Sequence, residues 1–337
     1  MHFYSNSVSS LDEIDHGGDL GRIRDAFPDA PEPWIDLSTG INPVPYPLPE
    51  IEASAWTRLP AAADGLALRA AAAAAYGAPD PEHVAAAPGT QILIETLPRL
   101  VGPARVAVVG PTYAEHAAAW ARAGHAVEAV TGIDRVGAAE VAVLVDPNNP
   151  DGRTHPLPER RALAEAMRGR GGLLVVDEAF LDFEPVASLC PEVAPGLVVL
   201  RSFGKSYGLA GIRLGFAVSD PETVRRLGAA LGPWAVSGPA LAVGTAALGD
   251  RGWRERAARD RAADAARLDR MIVRGGGRVV GGTSLFRTAD FPDGPDLHRR
   301  LGAAGIAVRR FSDAPKRLRF GLPADRAAWC RLSRVLK

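Results

Sequence analysis

From residue 104 to residue 218 the chain repeats one pattern: a short unbroken apolar run, a break, then a stretch with helical spacing. The apolar runs are ARVAVVG, VAVLVD, LLVVDEAF, LVVLRSF and LGFAV. None alternates apolar with polar residues, so each predicts a strand buried on both faces. Helical stretches at Gln91–Val101, Tyr113–Ala123 and Pro158–Arg168 fall among them, which argues for a parallel or mixed sheet covered on both sides. Ahead of this region the spacing predicts a helix over Ala62–Tyr76, stopped by Gly77. After Asp220 the character changes, with helices expected at Glu222–Leu231 and Pro239–Leu248 and a long charged one from Trp253 to Arg274. The tail returns to strand and helix units: SLFRTAD, a helix near Asp296–Ala304, IAVRRF, RLRFGLP and a last helix near Ala324–Leu336. The expected fold class is therefore α/β, a large central mixed or mostly parallel sheet domain plus a smaller α+β domain. The expected divisions are 51–235 for the large domain and 236–337 for the small one, with the Pro-rich segment 1–50 joining the small one.

Composition narrows the function classes. The chain has 337 residues, 47% of them hydrophobic, and a formal net charge of zero. No basic field is available for nucleic acid. No apolar run is long enough to span a bilayer, and the N-terminal residues lack a signal-peptide core. Cys190 and Cys330 lie far apart and make neither a metal spacing nor a disulfide framework. A soluble cytoplasmic protein is expected, without metal, membrane or nucleic-acid partners.

The segment Ser202-Phe-Gly-Lys205-Ser-Tyr-Gly208-Leu-Ala-Gly211-Ile-Arg213 follows an expected strand. A lysine just past a strand end is placed for a ligand in the crevice at the carboxyl edge of the sheet. Its amine can form a Schiff base with a carbonyl cofactor once desolvation lowers its pKa. Ser202 offers a hydroxyl, and Arg213 a fork suited to phosphate. Asp177 closes the run Val175-Val176-Asp177-Glu178-Ala179-Phe180. A buried carboxylate there needs a cationic partner, such as a protonated pyridine nitrogen acting as an electron sink. Asn149, in Asp146-Pro-Asn-Asn-Pro-Asp-Gly152, could donate to a ring oxygen or could simply belong to a turn. Gly89, Thr90 and Gln91 open a helix and can form an anion site or a plain N-cap. Tyr113 offers a ring for stacking or for packing.

In their order PGTQ, PTY, DPNNP, VVDEAF, SxxKxxGxxGxR, these segments resemble the fold-type I pyridoxal-phosphate enzymes, close to histidinol-phosphate aminotransferases. The resemblance covers nearly the whole chain. It implies pyridoxal 5'-phosphate as cofactor, held by Gly89, Thr90, Gln91, Ser202 and Arg213. It further implies Tyr113 stacked on the ring, Asn149 near the phenolic oxygen, Asp177 on the ring nitrogen and Lys205 in the Schiff base. Arg319 matches the arginine that holds the substrate α-carboxylate. A homodimer with the site at its interface is implied as well.

Two departures from the aminotransferases stand out: Phe180 and Leu59 occupy positions where those relatives carry tyrosine. His16-Gly17-Gly18, then Ile41-Asn42-Pro43, then DEAF with phenylalanine are similar to the L-threonine O-3-phosphate decarboxylases of cobalamin biosynthesis. Pro233-Trp234-Ala235-Val236-Ser237 fits the same family with two changes. That resemblance implies a small phosphorylated amino acid as substrate, with His16 and Asn42 near it and His16 at its phosphate. The expected reaction is decarboxylation of L-threonine O-3-phosphate to (R)-1-amino-2-propanol O-2-phosphate. An aminotransferase of the histidinol-phosphate type is the alternative, and a non-catalytic or regulatory pyridoxal-phosphate protein is a further one.

Overall fold

The computed structural model describes residues 17–337, so His16 lies outside the described residues. Among the described residues twelve strands form two sheets. In chain order they are β1 (Ile35–Leu37), β2 (Val84–Ala87), β3 (Arg105–Val109), β4 (Ala126–Val130), β5 (Val141–Val145) and β6 (Leu173–Asp177), followed by β7 (Leu197–Ser202), β8 (Gly215–Val218), β9 (Arg278–Thr283), β10 (Phe286–Asp290), β11 (Ile306–Arg310) and β12 (Arg317–Gly321).

The large sheet has the order β2-β8-β7-β6-β5-β3-β4. Strands β4, β3, β5, β6 and β7 run parallel, and β8 runs antiparallel to both its neighbours. Consecutive residues of the buried strands enter opposite cores, as a period of two requires. Leu144, Val176 and Val199 pack with the helix Ala62–Tyr76 through Leu68, Ala72 and Tyr76. Val143, Val175 and Val198 pack on the other face with Leu93, Leu97 and Trp120. Both sides of each strand are thus dry, which is why the sequence shows no alternation. Removing the Leu68 side chain, fully buried in the first layer, would cost about 2–5 kcal/mol.

Helix Ala62–Tyr76 ends where Gly77 turns left-handed at φ 76°. The helix Gly238–Gly249 lies beyond the expected division at 235, yet its Ala240, Leu241, Val243 and Ala247 enter the same core as Leu68. Gly244 allows this close packing, because a Cβ there would come within 2.6 Å of Leu214 and 2.8 Å of Leu68.

The small sheet has the order β1-β11-β12-β10-β9. One face packs Leu37, Ile306, Val308, Leu318 and Phe320 against Leu268, Ile272, Leu301, Trp329 and Leu332 of the surrounding helices. β1, from the beginning of the chain, pairs in parallel with β11 near its end: Ile35 with Ile306 and Leu37 with Val308.

Candidate active site

The parallel direction of β3, β5, β6 and β7 brings their carboxyl ends to one edge of the large sheet. β2 ends at the same edge and β8 begins there, since Ala87 pairs with Gly215 and Ser202 with Gly215. Six short segments converge on a cavity of about 1210 Å³, whose other wall is the small sheet. Gly89, Thr90, Gln91, Tyr113, Asn149, Asp177, Ser202, Lys205, Arg213 and Arg319 all line it. Asn42 does not: its amide nitrogen donates to the Ser206 carbonyl at 2.8 Å and its oxygen accepts from Arg261 at 3.2 Å. The backbone N–H of Asn42 also donates to the Lys205 carbonyl at 2.9 Å. These bonds fasten the loop that carries Lys205.

Lys205 follows β7 in the short helix Phe203–Ser206. Its ammonium group lies 5.5 Å from the centre of the Phe180 ring. Burial pulls the amine down to about 8; Arg319 and Arg213 push the same way, and Asp177 opposes them. A free amine is thus accessible near neutral pH, as a nucleophile requires. Phe180 packs edge-on against Phe286 at 5.0 Å, and Gly40 lets both rings approach.

Asp177 is 4% exposed at the end of β6. One oxygen accepts the Ala179 N–H at 2.9 Å and the other meets His116 Nε2 at 2.9 Å. His116 was not singled out in the sequence. It lies one helical turn after Tyr113, the spacing that puts two side chains on one face, and the two rings sit 6.1 Å apart. Its neighbour Glu178 faces away from the cavity. There it meets Arg201 at 2.7 Å, Ser188 at 2.5 Å and the Leu189 N–H at 2.9 Å. Arg201 in turn pairs with Asp182. Each charge in this dry cluster is met by an opposite one, the condition under which buried ions are tolerated.

Tyr113 donates its hydroxyl to Gln91 Oε1 at 3.1 Å, and burial raises its pKa to about 12, so it stays protonated. Gln91 is therefore tied to the ring of Tyr113. The two adjacent asparagines, Asn148 and Asn149, take different directions. Asn148 binds the scaffold through Thr112, Pro111 and Asp151. Asn149 lines the cavity and accepts from Arg319 Nη1 at 2.5 Å.

Gly89 (φ 88°) and Gly215 leave a cradle without side chains. A Cβ on Gly89 would come within 2.5 Å of the Arg213 guanidinium, and one on Gly215 within 2.5 Å of the Thr90 N–H. Arg213 itself holds a left-handed conformation at φ 54°, a strain that clusters at ligand sites. Backbone N–H groups, a hydroxyl and a guanidinium around a hollow suit a phosphate group.

Arg319 is 8% exposed on β12. Its neighbours Leu318 and Phe320 face the small core, so the period of two turns Arg319 to the cavity. It donates to Asn149 and, at 2.8 Å, to the Ser38 carbonyl, while its Nε has no hydrogen-bond partner among the described residues. Ser38 is positioned by Asp36, whose carboxylate accepts the Ser38 N–H at 2.8 Å and its hydroxyl at 2.6 Å. Burial lowers Arg319 to about 10, and the charge of Arg309 adds to this. A buried cation of this kind is completed by an anion, and the planar fork fits a carboxylate. A lysine amine, a buried carboxylate, a stacking ring and a phosphate cradle in one cavity fit pyridoxal phosphate. Among the described residues no cluster of metal-binding side chains occurs, and no helix is long and apolar enough to cross a membrane.

The chain is 44% identical to the threonine-phosphate decarboxylase of Pseudomonas aeruginosa over 96% of its length and 97% of that protein's. It is 41% identical to one from a Sinorhizobium species, with the same shares covered. Among solved structures, histidinol-phosphate aminotransferase from Sinorhizobium meliloti in complex with pyridoxal-5'-phosphate superimposes with a TM-score of 0.83. That match covers 99% of this chain and 97% of that one at 22% identity, which supports the expected fold. Residues 34–275 match the family described as aminotransferase class I and II, and the chain belongs to that family.

Proposed function

We propose that this chain is a pyridoxal-phosphate-dependent decarboxylase. It converts L-threonine O-3-phosphate to carbon dioxide and (R)-1-amino-2-propanol O-2-phosphate, in cobalamin biosynthesis. The observation that carries the reading is the full-length likeness, at 41–44% identity, to two threonine-phosphate decarboxylases. Phe180 in the cavity wall accords with it, since it offers no hydroxyl where the aminotransferases carry one.

The cofactor, when bound, supplies a conjugated, protonated ring that takes up the electron pair released as carbon dioxide leaves. The protein does the rest. Gly89, Thr90, Ser202 and Arg213 hold the cofactor phosphate, Tyr113 flanks the ring, and Asn149 serves the phenolic oxygen. Asp177, braced by His116, keeps the ring nitrogen protonated. Arg319 grips the substrate carboxylate and fixes its angle, the kind of orientation worth many orders of magnitude in rate. Lys205 would anchor the cofactor, and once the substrate amine has taken its place its freed amine would return a proton to the substrate Cα. The apolar wall of Phe180 and Phe286 excludes water from that carbon.

A second copy of this chain covers the face that carries Trp56, Leu59 and Trp234, which are 66%, 68% and 59% exposed around a shallow recess. Large apolar residues gathered on one face mark an interaction surface.

The test is product analysis with L-threonine O-3-phosphate. Stoichiometric carbon dioxide and aminopropanol phosphate are expected without any keto-acid acceptor. Glutamate formation from histidinol phosphate and 2-oxoglutarate, with no carbon dioxide, would assign the chain to aminotransferase activity instead.

A further inference from the structure

Behind one wall of the cavity lies a group of buried charges that takes no part in the proposed chemistry. Glu178 follows Asp177, the last residue of β6, and Arg201 precedes Ser202, the last residue of β7. The two strands pair Asp177 with Leu200, and the Glu178 N–H continues the ladder by donating to the Leu200 carbonyl at 2.9 Å. Glu178 and Arg201 therefore stand side by side, each one residue from a side chain that lines the cavity. Buried ion pairs seldom stabilise a fold more than apolar residues of similar volume would. Both strands are wholly apolar up to Val176 and Leu200, so an apolar continuation would have served stability as well.

What the charges add is geometry. Arg201 Nη1 donates to Glu178 Oε2 at 2.7 Å, and Nη2 donates to Asp182. A guanidinium is a rigid planar fork, so it fixes the spacing of the two carboxylates it holds. Those carboxylates are the two ends of a five-residue turn, Glu178-Ala-Phe-Leu-Asp182. The turn is closed at the backbone by the Leu181 N–H, which donates to the Glu178 carbonyl at 3.1 Å. Its middle residue is Phe180, the ring that faces the Lys205 ammonium group at 5.5 Å. The fork is itself held, because its flat face lies over the Tyr76 ring, 4.5 Å from the centre. On the cavity side the Phe180 ring has no slack: a Cβ on Gly40 would come within 2.8 Å of it. In so close a packing a small movement of the turn is felt by what the ring shields.

We infer that Arg201 is a positioning residue: by bridging Glu178 and Asp182 it holds Phe180 against Lys205 and keeps water from the lysine nitrogen. Arg201 does not line the cavity and acts only through the turn. The inference rests on the proposed role of Lys205 as the residue that anchors the cofactor.

The experiment follows the cofactor absorbance of the loaded enzyme while borohydride reduces the bond between Lys205 and the cofactor. The rate of bleaching reports how freely solvent reaches that bond. Arg201→Lys keeps the charge but reaches one carboxylate at a time, so it should bleach about tenfold faster than wild type. Its kcat should fall about ten- to a hundredfold with KM within about threefold, because the shield is altered and the grip on the substrate is not. Phe180→Ala should bleach as fast, and adding Arg201→Lys to it should change the rate by less than about twofold, since the bridge acts through that ring. Leu332→Ala, a loss of stability in the small core away from the turn, should bleach like wild type. An unchanged rate in Arg201→Lys would overturn the inference. So would a further full increase in the double mutant, or an equal increase in Leu332→Ala, which would reduce the effect to a general loosening. Should Arg201→Lys not fold, Asp182→Asn takes its place, because it cuts one limb of the bridge and leaves the Glu178–Arg201 pair; wild-type bleaching there overturns the inference equally. A wild-type absorbance that borohydride does not bleach would instead bring down the proposed role of Lys205, and the inference with it.

Discussion

Replacing Lys205 by Met should make the cofactor-free protein more stable at pH 7. The wild-type amine is buried against Arg319 and Arg213, and its pKa falls from 10.5 to about 8. That difference amounts to about 3 kcal/mol of penalty on the charged form, at about 1.4 kcal/mol per pH decade. Below pH 8 both folded and unfolded chains carry the proton, so the folded protein bears the whole penalty. Between about 8 and 10.5 the unfolded chain still binds the proton while the folded one has lost it. Stability of the wild type therefore rises with pH through this window, and the penalty is gone above it. A methionine has similar length and no charge, so Lys205→Met removes the penalty at every pH. Urea denaturation of both cofactor-free proteins between pH 7 and 10.5 measures the difference directly, with other titrating groups cancelling between them. The gap should be about 3 kcal/mol at pH 7 and should close on the alkaline side. A gap that stays flat with pH, or a mutant less stable at pH 7, would refute the reasoning that desolvation holds Lys205 as a reactive amine.

Asp177→Ala should retain some cofactor and lose about a hundred- to a thousandfold in turnover, as removal of an electrostatic stabiliser does; His116→Ala should lose less, about ten- to a hundredfold, because it removes only the brace on the carboxylate. Single-turnover decarboxylation rates separate the two. Arg319→Lys should weaken threonine and threonine phosphate alike, since the carboxylate is common to them, and ligand titrations that show an unequal loss would displace Arg319 from that role. His16→Ala should weaken only the phosphorylated compound, because a protonated imidazole pairs with phosphate, and titrating that mutant with both ligands checks it.

The strands that carry the site were readable because they are buried twice over. Runs such as VAVLVD and LLVVD leave no other explanation for so many adjacent apolar residues, and the polar residue that ends each run marks the edge where a ligand binds. β2 and β4 went unseen for opposite reasons. Val84–Ala87 is mostly alanine, which favours helix when read alone, and Ala126–Val130 lies at a sheet edge with three exposed residues, one of them a glutamate. Lys205, Asp177 and Tyr113 declare themselves by chemistry and neighbours. His116 does not, since its partner Asp177 lies 61 residues away and only the fold brings them together. The part Asn42 plays in fastening the lysine loop was not legible either, since its partners Ser206 and Arg261 lie 164 and 219 residues away. The same holds for Arg309: nothing in IAVRRF tells which arginine turns inward until the pairing with β12 fixes the register.

The pairing of β1 with β11 also sets a timetable. Ser38 is synthesised when little more than a tenth of the chain exists, yet the guanidinium it orients, that of Arg319, comes only eighteen residues before the end. The large sheet can close once Val218 is made, because all seven of its strands lie before that point. Lys205, Asp177 and the hollow between Gly89 and Arg213 are then assembled, while Arg319 waits for β12. A nascent chain should therefore acquire affinity for its cofactor well before it can hold a substrate, and domains folding in order of synthesis make that sequence the natural one. Releasing ribosome-bound chains of increasing length and scoring cofactor uptake and ligand uptake separately would reveal two steps in place of one.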